Sequence, residues 1–141
     1  MYKWQAIVTD TGGNSVTNSN SNDPEDPTKN KFGDVRIVLV GTTHPGNIGS
    51  SARAMKVMGF HHLSLVAPQN FPAAAATAMA SGADDLLISA QVTETLEDAV
   101  TDCAMVFGTT ARDRHLQWPI LSPVQAATEI QNALSDGPVA L

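Results

Sequence analysis

Short apolar runs alternate along this chain with amphipathic stretches, and this pattern indicates an α/β domain. The clearest run covers residues 36–40, which are mostly β-branched and predict a strand buried on both faces of a sheet. A turn over 42–46 leads into a helix that we predict from about 48 to 58. We expect the side chain of Asn47 to cap this helix and Gly59 to close it in the left-handed conformation.

The predicted helix has two different sides. We expect its sheet-facing stripe to contain Ile48, Ala52, Met55 and Val57 or Met58. Gly49, Arg53 and Lys56 follow one another at i, i+4 and i+7 on another side. A bare backbone position one turn below two cations would admit a phosphate or a ribose near the start of the helix. The alternative is an ordinary solvated helix face.

The remainder of the chain continues the alternation of strands and helices. We predict strands at 62–67, at 91–93 together with the apolar residues 86–88, at 104–108 and at 137–141. We predict helices at 73–81, at 96–101 behind a Thr95 cap, and at 123–134 behind a capping box of Ser122 and Gln125. Alternation of this kind predicts a mostly parallel, doubly wound sheet.

The first 34 residues differ in composition from the rest. They are rich in Asn, Ser, Thr, Asp, Gly and Pro, and cannot bury enough surface to offset the entropy of ordering. We therefore expect 1–34 to be a disordered polar tail or leader and 35–141 to be one folded unit. Because the last predicted strand coincides with the end of the sequence, we expect a fragment of a longer domain.

Charge is segregated along the chain. The net charge of −6 argues against binding nucleic acid through bulk charge, so any such contact must be local. Four of the eight cations form two short clusters, Arg53 with Lys56 and Arg112 with Arg114, whereas six acids fall between Asp84 and Asp102. A local basic site is therefore possible.

Other residue types exclude several classes of protein. The single cysteine, Cys103, cannot form an internal disulfide, and we interpret it as a small core residue. Nothing resembles a secretory signal or a membrane span, so we expect a cytoplasmic protein. The pair His61 and His62 lacks a metal-binding constellation, so no metal is expected.

The quoted segments HPGNIGSSARAMKVMG, ADDLL, TLEDAVTDC and VFGTTARDRHLQWPILSP closely resemble the TrmJ family. These are tRNA ribose 2′-O-methyltransferases of the TrmH group, within the knotted SPOUT superfamily. The resemblance covers about 35–141 and implies a SPOUT-type α/β-knot fold, here truncated before the knot. It also implies methyl transfer from S-adenosylmethionine to a cytidine or uridine ribose in the anticodon loop of tRNA, and a homodimer when the protein is full-length.

The resemblance assigns roles to single residues. Asn47, Gly49 and Arg53 match the first family motif, and Asn47 and Arg53 are the expected catalytic residues. A guanidinium has a pKa above about 12 and can hardly act as a base. We therefore expect Arg53 to hold the phosphate of the target nucleotide and to stabilise the developing 2′-oxyanion. The alternative for Arg53 is a surface salt bridge.

The resemblance also implies that the loop after the 104–108 strand binds the cofactor and RNA. The cofactor-binding residues would be Gly108, Thr109 and Thr110, and the RNA-binding residues would be His44, Gly49, Lys56, Arg112 and Arg114. The arginines of this long loop could instead serve solubility, and His44 could instead order its turn. Trp118 with Pro119 could stack on a base, but an aromatic residue before a proline more often anchors a loop on the core.

Two departures from the family pattern shape the functional prediction. The second and third family motifs would lie beyond Leu141, and Val124 with Gln125 replaces an expected charged pair. We therefore expect this chain by itself to be inactive as an enzyme. The main alternative is a non-catalytic module that binds RNA or a nucleotide. A dinucleotide-binding oxidoreductase is disfavoured, because no G-x-G-x-x-G motif follows the first strand.

Overall fold

The computed structural model describes the backbone of residues 4–7 and the whole of residues 33–109 and 120–141. Its strands are β1 Trp4–Ile7, β2 Val35–Val40, β3 His62–Val66, β4 Gln91–Thr93, β5 Met105–Thr109, β6 Ile120–Leu121 and β7 Val139–Ala140. Its helices are α1 Pro45–Met58, α2 Ala74–Ala80, α3 Asp84–Ile88, α4 Leu96–Val100 and α5 Pro123–Ala133.

These strands form one sheet in the order β4-β3-β2-β7-β5-β1-β6. The five strands from β4 to β5 are parallel, while β1 is antiparallel to both β5 and β6. The predicted last strand, β7, lies at the centre between β2 and β5, and both of its residues are buried. The prediction of a mostly parallel α/β sheet is therefore confirmed.

The two faces of the sheet are covered by different helices. Ile37 and Leu39 of β2 pair with Leu63 and Leu65 of β3, and this face packs against α1, α2 and α3. The α5 helix covers the same face further along, since Ile37 packs against both core clusters. The opposite face meets α4. The chain moves across the sheet in one direction from β2 to β4 and in the opposite direction from β4 to β5. Because α4 lies on the other face, this crossover has the same hand as the others.

The helix ends follow the predicted capping chemistry. Thr95 accepts a hydrogen bond from the N–H of Asp98 at the start of α4. At the start of α5, the Ser122 hydroxyl accepts from the N–H of Gln125, and the Gln125 side chain accepts from the N–H of Ser122. Gly59 closes α1 with φ +77°. All three predictions are confirmed.

Three predictions of local structure are wrong. Residues 4–7 of the expected tail form β1, an added strand at the β5 edge, while most of that tail lies outside the described residues. The apolar residues 86–88 belong to α3, because Asp84 and Asp85 occupy its first turn, where the helix dipole favours anions. Val57 and Met58 are 82% and 61% exposed, since they lie about 180° and about 80° around α1 from Ile48, at the centre of its sheet-facing stripe.

Candidate functional site

The turn between β2 and α1 lies at the carboxyl edge of the parallel strands. Gly41 adopts φ +60°, and its N–H donates to the carbonyl of Val66 at 2.8 Å. The N–H of Gln69 donates to the carbonyl of Thr42 at 3.1 Å. These bonds tie the turn to the segment that follows β3, and His44 beyond them is exposed. The side chain of His44 is therefore available for a contact, while its backbone begins the helix.

The start of α1 differs from the prediction. His44 is the N-cap residue and Pro45 is the first helical residue, and the His44 side chain makes no capping hydrogen bond. Asn47 lies inside the first turn, where its N–H donates to the carbonyl of His44 at 3.0 Å. The predicted cap at Asn47 is therefore wrong, because the fixed φ of Pro45 suits the first helical position and starts the helix earlier. The Asn47 residue is exposed.

Gly49 does not form the open cradle that the sequence predicted. It is buried against α2, and a Cβ built on it would lie 2.0 Å from the carbonyl oxygen of Ala76. The space beside Gly49 is already filled by the backbone of a neighbouring helix. An anion cannot use that space, so the expected RNA contact at Gly49 is corrected to a helix-packing contact.

Lys56 is engaged by a neighbouring acid. Its ammonium forms an ion pair with the carboxylate of Asp85 on α3. The hydrogen bond from Lys56 is the main reason that the pKa of the Asp85 carboxyl lies below its ordinary value. Both side chains are about half exposed. Lys56 is therefore a contact between α1 and α3, and a role in RNA binding would require it to exchange this partner.

Arg53 lies between these two contacts on the same stripe of α1. It is exposed, and no described residue forms a hydrogen bond or an ion pair with its guanidinium. Within the described part of the chain, this rules out the alternative of a surface salt bridge. A shallow groove of about 410 Å³ beside it is lined by Ser50, Arg53, Ala54, Val57 and Met58. Arg53 therefore has both a free cationic group and adjoining space.

The predicted cofactor residues lie at the same sheet edge as the turn after β2. Gly108 and Thr109 end β5, whose neighbour β7 pairs in parallel with β2. Thr109 is exposed and Gly108 is partly buried. In open α/β sheets, ligands bind outside the carboxyl ends of the strands. The position of Gly108 and Thr109 thus fits a bound nucleoside, with a bare backbone and an accessible hydroxyl. Thr110, Arg112, Arg114, Trp118 and Pro119 lie outside the described residues.

A second ion pair was missed from the sequence. Arg36 on β2 donates two hydrogen bonds to the carboxylate of Asp102, at 2.6 and 2.8 Å, and another to the carbonyl of Ala99 at 2.6 Å. These hydrogen bonds are the main reason that the pKa of Asp102 is lowered and that of Arg36 is raised. The signal in the sequence was an arginine within an apolar strand, since a charge in such a place needs a partner.

Cys103 is buried, in agreement with the prediction of a core residue. Burial is the main reason that the pKa of its thiol is raised.

Within residues 33–109 and 120–141, no group of three or more His, Cys, Asp or Glu side chains is arranged to hold a metal ion. None of the described helices has the length and apolar character that crossing a membrane would need.

A second groove, of about 390 Å³, lies away from the predicted site residues. Its lining comes from the segment before α2, from α2, from α3 and from the residue before β4, and it includes Phe71, Thr77, Asp84 and Ile88. Asp84 is its acidic member among mostly apolar neighbours. None of the predicted catalytic, cofactor-binding or RNA-binding residues lines this groove.

Comparison with known proteins decides the family. The model of the SpoU rRNA methylase family matches residues 34–133. The chain belongs to the SpoU rRNA methylase family. The match begins one residue before β2 and ends with α5, so it takes in α1, β5 and both sides of the candidate site.

Curated relatives of this SpoU methylase chain carry TrmJ names. It is 52% identical over 108 residues to the tRNA (cytidine/uridine/adenosine-2′-O-)-methyltransferase TrmJ of Pseudomonas aeruginosa. It is 47% identical over 107 residues to the tRNA (cytidine/uridine-2′-O-)-methyltransferase TrmJ of Sodalis glossinidius. Each match covers 76% of this chain and 42% of the relative. The chain therefore spans about two fifths of the length of these relatives.

Solved structures agree with the family assignment. TrmJ from Z. mobilis ZM4 superposes with a TM-score of 0.70 and 42% identity, over 74% of this chain and 47% of that one. A probable methylase family protein from Haemophilus influenzae superposes with a TM-score of 0.69 and 39% identity, over 77% of this chain and 46% of that one. The resemblance to SPOUT methylases that the sequence motifs indicated is confirmed.

Proposed function

We propose that this chain forms the part of a tRNA ribose 2′-O-methyltransferase that holds the target nucleotide. The observation that carries the proposal is Arg53, an exposed guanidinium without a partner among the described residues, beside a groove of about 410 Å³. All five residues that line this groove belong to α1. The names of the TrmJ relatives supply the substrate class: a cytidine or uridine ribose of tRNA. The anticodon loop is the proposed location within the tRNA.

Arg53 acts as an electrostatic group rather than as a base. Its guanidinium stays protonated at any physiological pH. It can hold the phosphate of the target nucleotide through two parallel hydrogen bonds, and it can stabilise negative charge that develops on the 2′-oxygen. The proton of the ribose hydroxyl must then leave through another group, through the phosphate or through water.

Asn47 complements Arg53 from the first turn of the same helix. Six residues separate the two, which places them about 9 Å apart along the helix axis. Asn47 lies about 120° around the helix from Arg53, so the two side chains approach the sheet edge from different sides of α1. Side chains on a helix tilt towards its N-terminus, so the long Arg53 side chain leans back towards that edge. The exposed carboxamide of Asn47 can both donate and accept a hydrogen bond, as a ribose hydroxyl requires.

The proposed cofactor is S-adenosylmethionine, held at the carboxyl end of β5. Its sulfonium supplies an activated methyl group, so the chain itself needs to supply binding and orientation. Gly108, which is partly buried, and Thr109, which is exposed, are the proposed contacts at the end of this strand. Thr110 is proposed to join them, and Arg112 and Arg114 are proposed to contact tRNA. A homodimer and a cytoplasmic location rest on the family resemblance alone.

The test is a chimera in which this chain replaces the part of P. aeruginosa TrmJ that it matches. Unmodified tRNA transcript is incubated with the chimera and S-adenosylmethionine, and the digested nucleosides are identified by mass spectrometry. The expected product is a ribose-methylated cytidine or uridine from the anticodon loop. A transcript with a 2′-deoxy residue at that position should accept no methyl group, which serves as the matched control.

Other outcomes would contradict the proposal in different ways. A methyl group on a base would place the reaction on the wrong atom. Tight tRNA binding without any methyl transfer would favour the second candidate, a non-catalytic RNA-binding module, which needs only the free guanidinium of Arg53. The 141-residue chain assayed alone in parallel tests the expectation that it is inactive without further segments.

A further inference from the structure

Gly49 packs directly against the backbone of α2, and we infer that it is a positioning residue for Arg53. This inference rests on the proposed function, because it takes Arg53 as the group that holds the target nucleotide. A Cβ at Gly49 would lie 2.0 Å from the carbonyl oxygen of Ala76 and 2.9 Å from the backbone nitrogen of Ala80. Both distances are shorter than ordinary van der Waals contact.

The atoms that crowd Gly49 are all backbone atoms of α2. No rotation of a side chain can relieve such a contact, so one of the two helices would have to move. Ordinary contact begins at 3.4 Å, and the separation at Ala76 would therefore have to grow by about 1.4 Å. A displacement of about 1 Å at a reacting group can reduce a rate by roughly a hundredfold.

A displacement of α1 at Gly49 would also move Arg53. It follows Gly49 by one turn on the same stripe of α1, and Lys56 follows Arg53 by three residues on that stripe. Gly49 contacts α2 and Lys56 is paired with Asp85 on α3, so Arg53 lies between two anchoring contacts. The contact at Gly49 sets the distance between the first half of α1 and α2, and therefore the position of the Arg53 backbone that carries the guanidinium.

The same helix offers a matched control. A Cβ at Gly46 would meet the Cγ of Met79 at 3.5 Å, which is ordinary contact with a flexible side chain. Gly46→Ala is therefore the same chemical change three residues away, without the backbone collision. Met55→Ala provides a second control, since it removes a buried core side chain from α1 and lowers stability without introducing a collision with the backbone of α2.

The experiment measures kcat and KM of these variants in the chimera with P. aeruginosa TrmJ. Gly49→Ala should lower kcat for tRNA methylation about a hundredfold, with the KM for S-adenosylmethionine within about twofold. Gly46→Ala, and Met55→Ala assayed below its unfolding range, should keep kcat within about threefold of the unsubstituted chimera. In an Arg53→Ala background, Gly49→Ala should add less than about threefold, because the group that it displaces is absent.

Two results would overturn the inference. One is a kcat for Gly49→Ala equal to that of Gly46→Ala. The other is a full further loss from Gly49→Ala in the Arg53→Ala background, which would show that Gly49 acts independently of Arg53.

A chimera that transfers no methyl group would defeat the proposed function but would leave the positioning measurable. In the 141-residue chain, Gly49→Ala should shift the backbone amide resonances of Arg53 and Ala76, whereas Gly46→Ala should leave both in place. Unchanged Arg53 and Ala76 resonances in Gly49→Ala would overturn the inference whatever the activity.

Discussion

The β2–α1 unit contains two arginines, and their surroundings differ. Arg36 lies in β2 with its side chain 16% exposed, and it donates hydrogen bonds to Asp102 and to the carbonyl of Ala99. Arg53 lies on α1, is exposed, and has no partner among the described residues. The Arg36 guanidinium is hydrogen-bonded within the fold, whereas the Arg53 guanidinium lies beside a groove and has no such partner among the described residues.

The difference distinguishes a structural charge, Arg36, from the proposed binding charge, Arg53. A mostly buried guanidinium must be paired, because a buried charge without hydrogen bonds or an opposite charge strongly destabilises the folded state. An exposed guanidinium carries no such requirement, since water solvates it until a ligand arrives. Stability and substrate handling should therefore respond oppositely to substitution at Arg36 and at Arg53.

The largest expected effect is on methyl transfer after Arg53→Ala. In the chimera, this substitution should lower kcat by about 10²–10³-fold, as expected for the loss of a group that stabilises a developing oxyanion. The free energy of unfolding should change by less than about 0.5 kcal/mol, because an exposed side chain without partners is removed. Arg53→Lys serves as the matched control, since it keeps the charge but loses the planar fork, and should recover only part of the rate. Wild-type turnover in Arg53→Ala would show that Arg53 is misassigned.

The next effect is on stability after Arg36→Ala. We expect the free energy of unfolding to fall by about 1.5–3 kcal/mol, the range for hydrogen bonds to charged groups. Urea denaturation followed by circular dichroism measures it, with Arg36→Lys as the control that retains the charge without the bidentate geometry. The rate of methyl transfer per folded molecule should not change. A stability equal to that of the unsubstituted chain would remove the distinction between the two arginines.

The Arg36–Asp102 pair should also make stability depend on pH. The pKa of Asp102 is lower in the folded chain than its ordinary value, chiefly through the hydrogen bonds from Arg36. The stabilisation is therefore complete above the ordinary carboxyl pKa of about 4, and it is lost as pH falls through the folded-state pKa. The difference in unfolding free energy between the unsubstituted chain and Asp102→Asn should stay constant from pH 7 to about 5 and narrow below about 4. A difference that persists unchanged to pH 2 would contradict this origin.

The smallest expected effect concerns Lys56. Because Lys56 and Asp85 are paired and about half exposed, Lys56→Ala and Asp85→Ala should each move the unfolding midpoint only slightly. Affinity for tRNA, measured by filter binding, separates the two roles of Lys56. If Lys56 is only a contact between helices, both variants bind tRNA alike. Weaker binding by Lys56→Ala alone would restore the RNA contact that the sequence predicted.

The fold was largely predictable because its determinants are local. Apolar runs gave β2, β3, β5 and the central β7, and Ser122 with Gln125 gave the start of α5. Residues 86–88 were misassigned because three apolar residues fit a strand or a helix equally well. The β1 strand was missed because its pairing with β5 depends on residues about a hundred positions away.

The site was predictable only in part. The motif spacing placed Gly49, Arg53 and Lys56 on one stripe of α1, but it could not show what faces that stripe. Gly49 faces α2 and Lys56 faces Asp85, and both partners come from segments outside the motif. The partner of Arg36 was hidden for the same reason, since Asp102 lies 66 residues away.

The most direct measurement is a titration of the ¹⁵N-labelled 141-residue chain with an RNA stem–loop that carries a tRNA anticodon loop. Shifts of backbone amide resonances report where the RNA binds. The expected result is that perturbations concentrate at residues 42–53 and leave 99–103, around the Arg36–Asp102 pair, in place, and that Arg53→Ala abolishes them. Perturbations centred on Arg36 and Asp102, or a titration that Arg53→Ala leaves unchanged, would contradict the assignment of Arg53 as the RNA-binding cation.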